Sequence, residues 1–158
     1  MAFMRTTTTF AKECFDKLLN AAYLHIHVKD LKAHDCLGFA EVSVLKEKNE
    51  PNEIVLLERG FWEKGEEKIS FTNRVQFVLK DSSLFVYHLR YEKNSSRFLV
   101  ELIETEPNLL STKEPHLCNR DCYVAKMSIQ RDSLFLGWKI LGPSKDQEIC
   151  FRYSTKEI

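Results

Sequence analysis

One short stretch of this chain gathers an imidazole, a thiol, a carboxyl and a phenol: His116, Cys118, Asp121 and Tyr123. A thiol beside an imidazole can serve as a nucleophile with its base, and residues two apart on a strand share a face. His116, Cys118 and Cys122 are also ligand types that zinc accepts. The zinc reading lacks a fourth ligand, and Cys-x3-Cys is not the usual knuckle spacing. The nucleophile reading lacks an orienting third group and an oxyanion hole. No catalytic set, metal or cofactor is therefore expected, and His116, Cys118, Asp121 and Tyr123 stand as ligand-binding candidates.

Other residues add to the set. His25-x-His27 puts two imidazoles on one strand face near His34, but the nearest acids are Asp30 and Asp35, so a polar outer face is expected. Gly142-Pro143-Ser144-Lys145-Asp146 is first a turn, whose Lys145 and Asp146 can reach a ligand at its rim. Arg74 and Arg152 fall mid-strand. Turned inward, each needs an anion: Asp121, Glu58 or an anionic ligand. Alternation sets Arg74 opposite Phe71, Val75, Phe77 and Leu79, which places it outside unless the lumen is polar.

The elements that position these residues are mostly strands. Apolar spacing over Phe10, Cys14, Phe15, Leu18 and Leu19 predicts a short helix within residues 9–22, with the preceding threonines as its cap. Strands are expected at 23–28, 37–45, 54–62, 68–79, 84–91, 97–105, 121–130, 134–141 and 147–154. Polar turns join them, among them Gly65-Glu66-Glu67, Asp81-Ser82-Ser83 and Asn94-Ser95-Ser96. Residues 106–120 read as the longest loop. Short connections between successive strands mean an up-and-down meander, and closing it removes its edges. The expected fold is all-β: one antiparallel barrel domain of eight to ten strands over residues 23–154, with the helix on the barrel or plugging one end.

Composition narrows the function. The 158 residues carry 23 basic and 23 acidic side chains, for zero net charge. That balance disfavours nucleic acid and a polybasic membrane contact. No apolar run approaches the roughly 20 residues that span a bilayer. Five cysteines without a secretory signal suggest reduced thiols and a cytoplasmic place, with export by another route left open. Oligomeric state is not legible.

The last third resembles a known family. His116-Leu-Cys118-Asn-Arg-Asp121-Cys-Tyr123, then Trp138-Lys-Ile-Leu-Gly142-Pro143-Ser-Lys145-Asp146, then Arg152-Tyr153 is similar in order and spacing to domain-of-unknown-function family 6314. Gly38-Phe39-Ala40, Glu58-Arg59-Gly60 and Arg74 fall in matching places. The chain departs from the family at Gln147, where an aromatic residue is usual, and at Ala22–His25, where a Trp is frequent. The resemblance implies a lipocalin-like, or calycin-like, barrel and no particular activity.

The leading expectation is a non-catalytic barrel binding a small, partly apolar ligand that could be anionic. Phe71, Phe77, Trp138, Phe151 and Tyr153 would line it, and His116, Cys118, Asp121, Tyr123, Trp138, Lys145, Asp146, Arg74 and Arg152 would contact the ligand. The alternatives are a small enzyme using the His/Cys/Asp/Tyr cluster and a packed barrel serving as a protein-interaction module. The topology puts 116–123 and 142–146 at one barrel end, where Lys145 or Arg120 can neutralise Asp121 and His116 can bond Asp146.

Overall fold

In the computed structural model, which describes residues 8–90 and 95–157, helix α1 (Phe10–Leu19) is followed only by strands. These are β1 (Tyr23–Asp30), β2 (Cys36–Leu45), β3 (Glu53–Lys64), β4 (Glu67–Lys80), β5 (Ser83–Leu89), β6 (Ser96–Glu106), β7 (Leu109–Thr112), β8 (His116–Cys118), β9 (Asp121–Gln130), β10 (Ser133–Leu141) and β11 (Asp146–Ser154). Tyr91 and Asn94, expected at a strand end and in a turn, lie outside the described residues.

Every pairing is antiparallel and follows chain order until β11 returns to β1, pairing Tyr23 with Ser154. The result is a closed ten-stranded barrel, because β7 and β8 share one position beside β9. Residues 106–120 are therefore not a loop. Asn108 (φ 63°) and Asn119 (φ 57°) take the left-handed conformation that tight turns need, and the segment between them follows β9. Where that strand breaks, a side chain replaces the ladder. The Thr112 hydroxyl accepts from the Ala125 N–H at 2.6 Å and donates to the Ala125 carbonyl at 3.1 Å.

Alternation sorts the faces. Leu24 and Ile26 on β1, Ile54 and Leu56 on β3, and Leu134 and Leu136 on β10 are buried, while their neighbours are less so. Helix α1 starts as the sequence reads, with Thr9 Oγ1 accepting from the Lys12 N–H at 3.1 Å. It stops at Leu19 rather than residue 22 because Ala22 already joins the sheet: its N–H donates to Ser154 O and its carbonyl accepts from Val42. Phe10, Ala11, Cys14, Phe15 and Leu18 face strands β4–β7, β9 and β10, so the helix plugs one end. Burial, then the charges of Glu13 and Glu104, pushes the Cys14 thiol up to about 12; Cys14 is an inert part of the plug. Phe15 is 1% exposed, so Phe15→Ala should cost about 3–5 kcal/mol in denaturant unfolding by emptying that plug. A loss below about 1 kcal/mol would show that the helix does not close the barrel.

Candidate functional site

At the end opposite the helix, β8 and β9 form a hairpin that pairs His116 with Tyr123 and Cys118 with Asp121. The turn between β10 and β11 lies against it. The Asp121 carboxylate occupies the space a Cβ on Gly142 would fill, and Lys145 Nζ is 3.6 Å from Asp121 Oδ2. The two stretches are neighbours, as the meander requires. His116 departs from expectation. Among the described residues it makes no hydrogen bond to Asp146, and its ring instead packs edge-on against Tyr123 at 5.8 Å. Burial, then the charge of Arg97, lowers the His116 pKa. Arg97 Nη2 also donates to Cys118 Sγ at 2.8 Å. No cluster of His, Cys, Asp or Glu suited to hold a metal occurs among the described residues.

The lumen below holds a polar chain in which Glu58, expected as an arginine's partner, instead meets Tyr153, Asn73 and, through Asn73, His88. Glu58 is 1% exposed in the middle of β3. Its Oε2 accepts from the Tyr153 hydroxyl at 2.6 Å, and its Oε1 accepts from Asn73 Nδ2 at 2.9 Å. Asn73 Oδ1 lies 2.8 Å from His88 Nε2, so the polar chain runs from β11 through β3 and β4 to β5. Register explains its reach. Tyr153, Leu24, Ala40 and Gly60 form one row across β11, β1, β2 and β3, and two small residues in that row leave room for the tyrosine to cross. Burial raises the Glu58 pKa, with the two hydrogen bonds opposing. Tyr153 is raised well above its usual value by burial, then by Glu58. His88 is lowered by burial, then by Arg90 and Arg97.

The inward aromatic side chains fall into two layers. Phe77 (0%) and Tyr153 (3%) are sealed. Trp62, Phe71, Trp138 and Phe151 pack on the core yet remain partly exposed. Trp62 and Phe71 touch at 5.1 Å, and Phe151 stacks on Tyr153 at 6.5 Å. Trp62 lies so close over Gly38 that a Cβ there would meet its ring at 2.9 Å.

Arg74 and Arg152 do not join this lumen. Arg74 is exposed and pairs with Leu57, outside the Asn73–Val75 inner face. Arg152 pairs with His25 and Phe135 on the outer wall, because Phe151 and Tyr153 hold the inward positions of β11. Neither contributes to a lumen site: Arg74 lies outside, where alternation sets it, and Arg152 faces the outer wall beside His25. The signal for Glu58 and Asn73 was their parity, since each sits in an alternation of inward apolar residues: Ile54, Leu56, then Glu58, and Phe71, Asn73, then Val75.

A family model described as Family of unknown function (DUF6314) matches residues 23–155. No curated protein matches the chain. Among solved structures, the S-type phycobiliprotein lyase CPES from Guillardia theta superposes with a TM-score of 0.63 at 9% identity, covering 93% of each chain. A redesigned beta barrel, mFAP1, bound to DFHBI, gives a TM-score of 0.41 at 7% identity over 89% of this chain and 98% of its own. The first likeness is one of fold. No described helix is long and apolar enough to cross a membrane.

Proposed function

The chain belongs to the DUF6314 family, whose function is unknown, and from that premise we propose that it is a non-catalytic cytosolic barrel that binds a small, partly apolar molecule in the mouth half of its lumen. One observation carries this reading: Trp62, Phe71, Trp138 and Phe151 face inward yet stay partly exposed, while the layer beneath them is sealed. Apolar walls above a few convergent polar groups are what small-molecule sites share. Glu58 and the helix plug close the floor.

The polar end of the ligand differs from the anionic one that Arg74 and Arg152 suggested, since both point away. His88, held toward its neutral form, and the mouth cluster of His116, Tyr123 and Asp121 offer hydrogen bonds instead. An uncharged ligand with polar atoms near its mouth end suits this lining.

The chain has two tryptophans, and both face the lumen, so intrinsic fluorescence reports its occupancy. Titration with an uncharged naphthalene dye should change that fluorescence saturably, with one dye per chain. Ile149→Arg, which puts a long side chain on the inward face of β11 beside Trp138, should abolish binding while preserving the β-sheet circular dichroism. A dye that binds Ile149→Arg as well as it binds the parent would overturn the lumen site.

A further inference from the structure

The outer wall carries a concavity of its own, separate from the lumen. A groove of about 760 Å³ runs across β11, β1, β2 and β3, walled by Leu37, Phe39 and Phe61. Two nitrogens of its lining residues, His25 Nε2 and Arg152 Nε, are buried and, among the described residues, have no hydrogen-bond partner. They belong to residues directly paired across the β1–β11 ladder. A buried donor without a partner carries a desolvation penalty of about 1–3 kcal/mol. Two of them side by side, one on a cation, form an unfilled two-point site for an acceptor.

The groove's surroundings define that acceptor. The His25 ring meets Phe39 edge-on at 5.1 Å, and Phe39 continues to Phe61 at 6.1 Å, so a flat apolar floor extends from the nitrogens. We propose that this groove binds a carboxylate joined to a flat apolar body, its oxygens accepting from Arg152 Nε and His25 Nε2 and its body lying on Phe39 and Phe61. Glu157 lines the same groove, and its charge acts on His25, yet it forms no ion pair with either nitrogen among the described residues. It stands as a weak competitor for the ligand.

The proposal has a pH signature. The charged and titratable groups that share the groove with His25 are Arg152 and Cys150 on β11, His27 on its own strand, Glu63 on β3, and Glu157, and Tyr23, two residues along β1 on the same face, stacks on Phe39. Burial, then the Arg152 charge, holds the His25 pKa below its usual range, and Glu157 opposes. Free His25 is therefore neutral near pH 7. A bound carboxylate favours the imidazolium and raises that pKa, so affinity should grow as pH falls through the bound-state value and level off above it.

Titration with 2-naphthoate and its neutral isostere 2-naphthamide, followed by backbone amide shifts, tests the site. The naphthoate should bind about tenfold more tightly, as a charge-assisted pair would give, with shifts concentrated on outer-face residues of β11, β1, β2 and β3. Arg152→Gln should erase that preference. Glu157→Gln should tighten naphthoate binding, and His25→Gln should remove its pH dependence between about pH 5.5 and 7.5, the range around an imidazole pKa. Equal binding of the two compounds by the parent protein would overturn the proposal, as would naphthoate shifts confined to the lumen. The parent comparison decides even where a variant fails to fold. Ile149→Arg, which blocks the lumen, should leave naphthoate binding intact, so the two sites fail separately.

Discussion

Gly60→Ala should strongly destabilise the barrel. A Cβ at Gly60 would overlap the carbonyl oxygen of Phe39 and come within 2.6 Å of the Ala40 Cα. Both are backbone atoms of the paired strand β2, and they cannot turn aside as a side chain can. Ordinary overpacking costs about 1–3 kcal/mol, and here the added methyl meets backbone, so the upper end is expected. For a chain of this size that means a fall in melting temperature of roughly 10 °C. It would also disturb the row that lets Tyr153 cross to Glu58. Gly142→Ala is the control. Its added methyl meets the Asp121 carboxylate, the free end of a side chain, which can swing away at the expense of the contact with Lys145. The second variant should melt within a few degrees of the parent, because Lys145 is the exposed end of that ion pair and pairs reaching solvent contribute about 0–1 kcal/mol. Equal melting temperatures for the two variants would show that the β2–β3 approach at Gly60 is looser than described.

Glu58→Ala is the second large loss expected. It strands the Tyr153 hydroxyl and the Asn73 amide without their acceptor and opens a cavity. Each unmet group costs about 1–3 kcal/mol, and the two losses share one network, so they need not add. Glu58→Gln keeps the volume and one acceptor oxygen, so it should lose far less. It also isolates a pH effect. Burial raises the Glu58 pKa in the folded barrel above the value of about 4.3 in an unfolded chain. Between those two values the folded state holds the extra proton, so stability falls as pH rises. The stabilising contribution is complete below about pH 4.3 and is lost as pH climbs through the folded value, with a limiting slope of about 1.4 kcal/mol per pH unit. Denaturant unfolding of the parent and Glu58→Gln across this range should therefore show the difference shifting steadily in favour of glutamine, then levelling. A difference independent of pH would mean that Glu58 does not titrate with an altered pKa.

The strands of this barrel were legible because their inner and outer faces differ in polarity. Asp121–Gln130 was read to its ends, since its alternation of Tyr123, Ala125, Met127 and Ile129 is unbroken. β7 and β8 were not, because Leu109–Thr112 is too short to show a period and its ladder is completed by the Thr112 hydroxyl rather than by backbone. The contact of Asp121 with the Gly142–Asp146 turn followed from counting strand directions, which needs no side-chain geometry. The Glu58–Tyr153 bond did not follow. It joins residues far apart in the chain across two intervening strands, and only the small side chains of Ala40 and Gly60 make it sterically open. His25 lies on the outer face, but against Phe39 rather than polar neighbours, and its pairing with Arg152 across β1 and β11 is something a single strand cannot reveal.

The pairing of β1 with β11 has a kinetic consequence. Every other neighbour in the meander, apart from the split β7–β8 edge, follows directly in the chain and can zip up as a local hairpin. The β1–β11 seam joins strands from the two extremes of the barrel, so the loop closure entropy it must overcome is the greatest in the fold. Rapidly formed hairpins would wait on a slow closing step, with β1 and β11 exposing unpaired edges in the interval. His25 and Arg152 become partners only when that seam shuts. A molecule held between them acts as a rivet across the last joint, and its presence would lengthen the lifetime of the closed barrel by slowing unfolding more than it speeds folding.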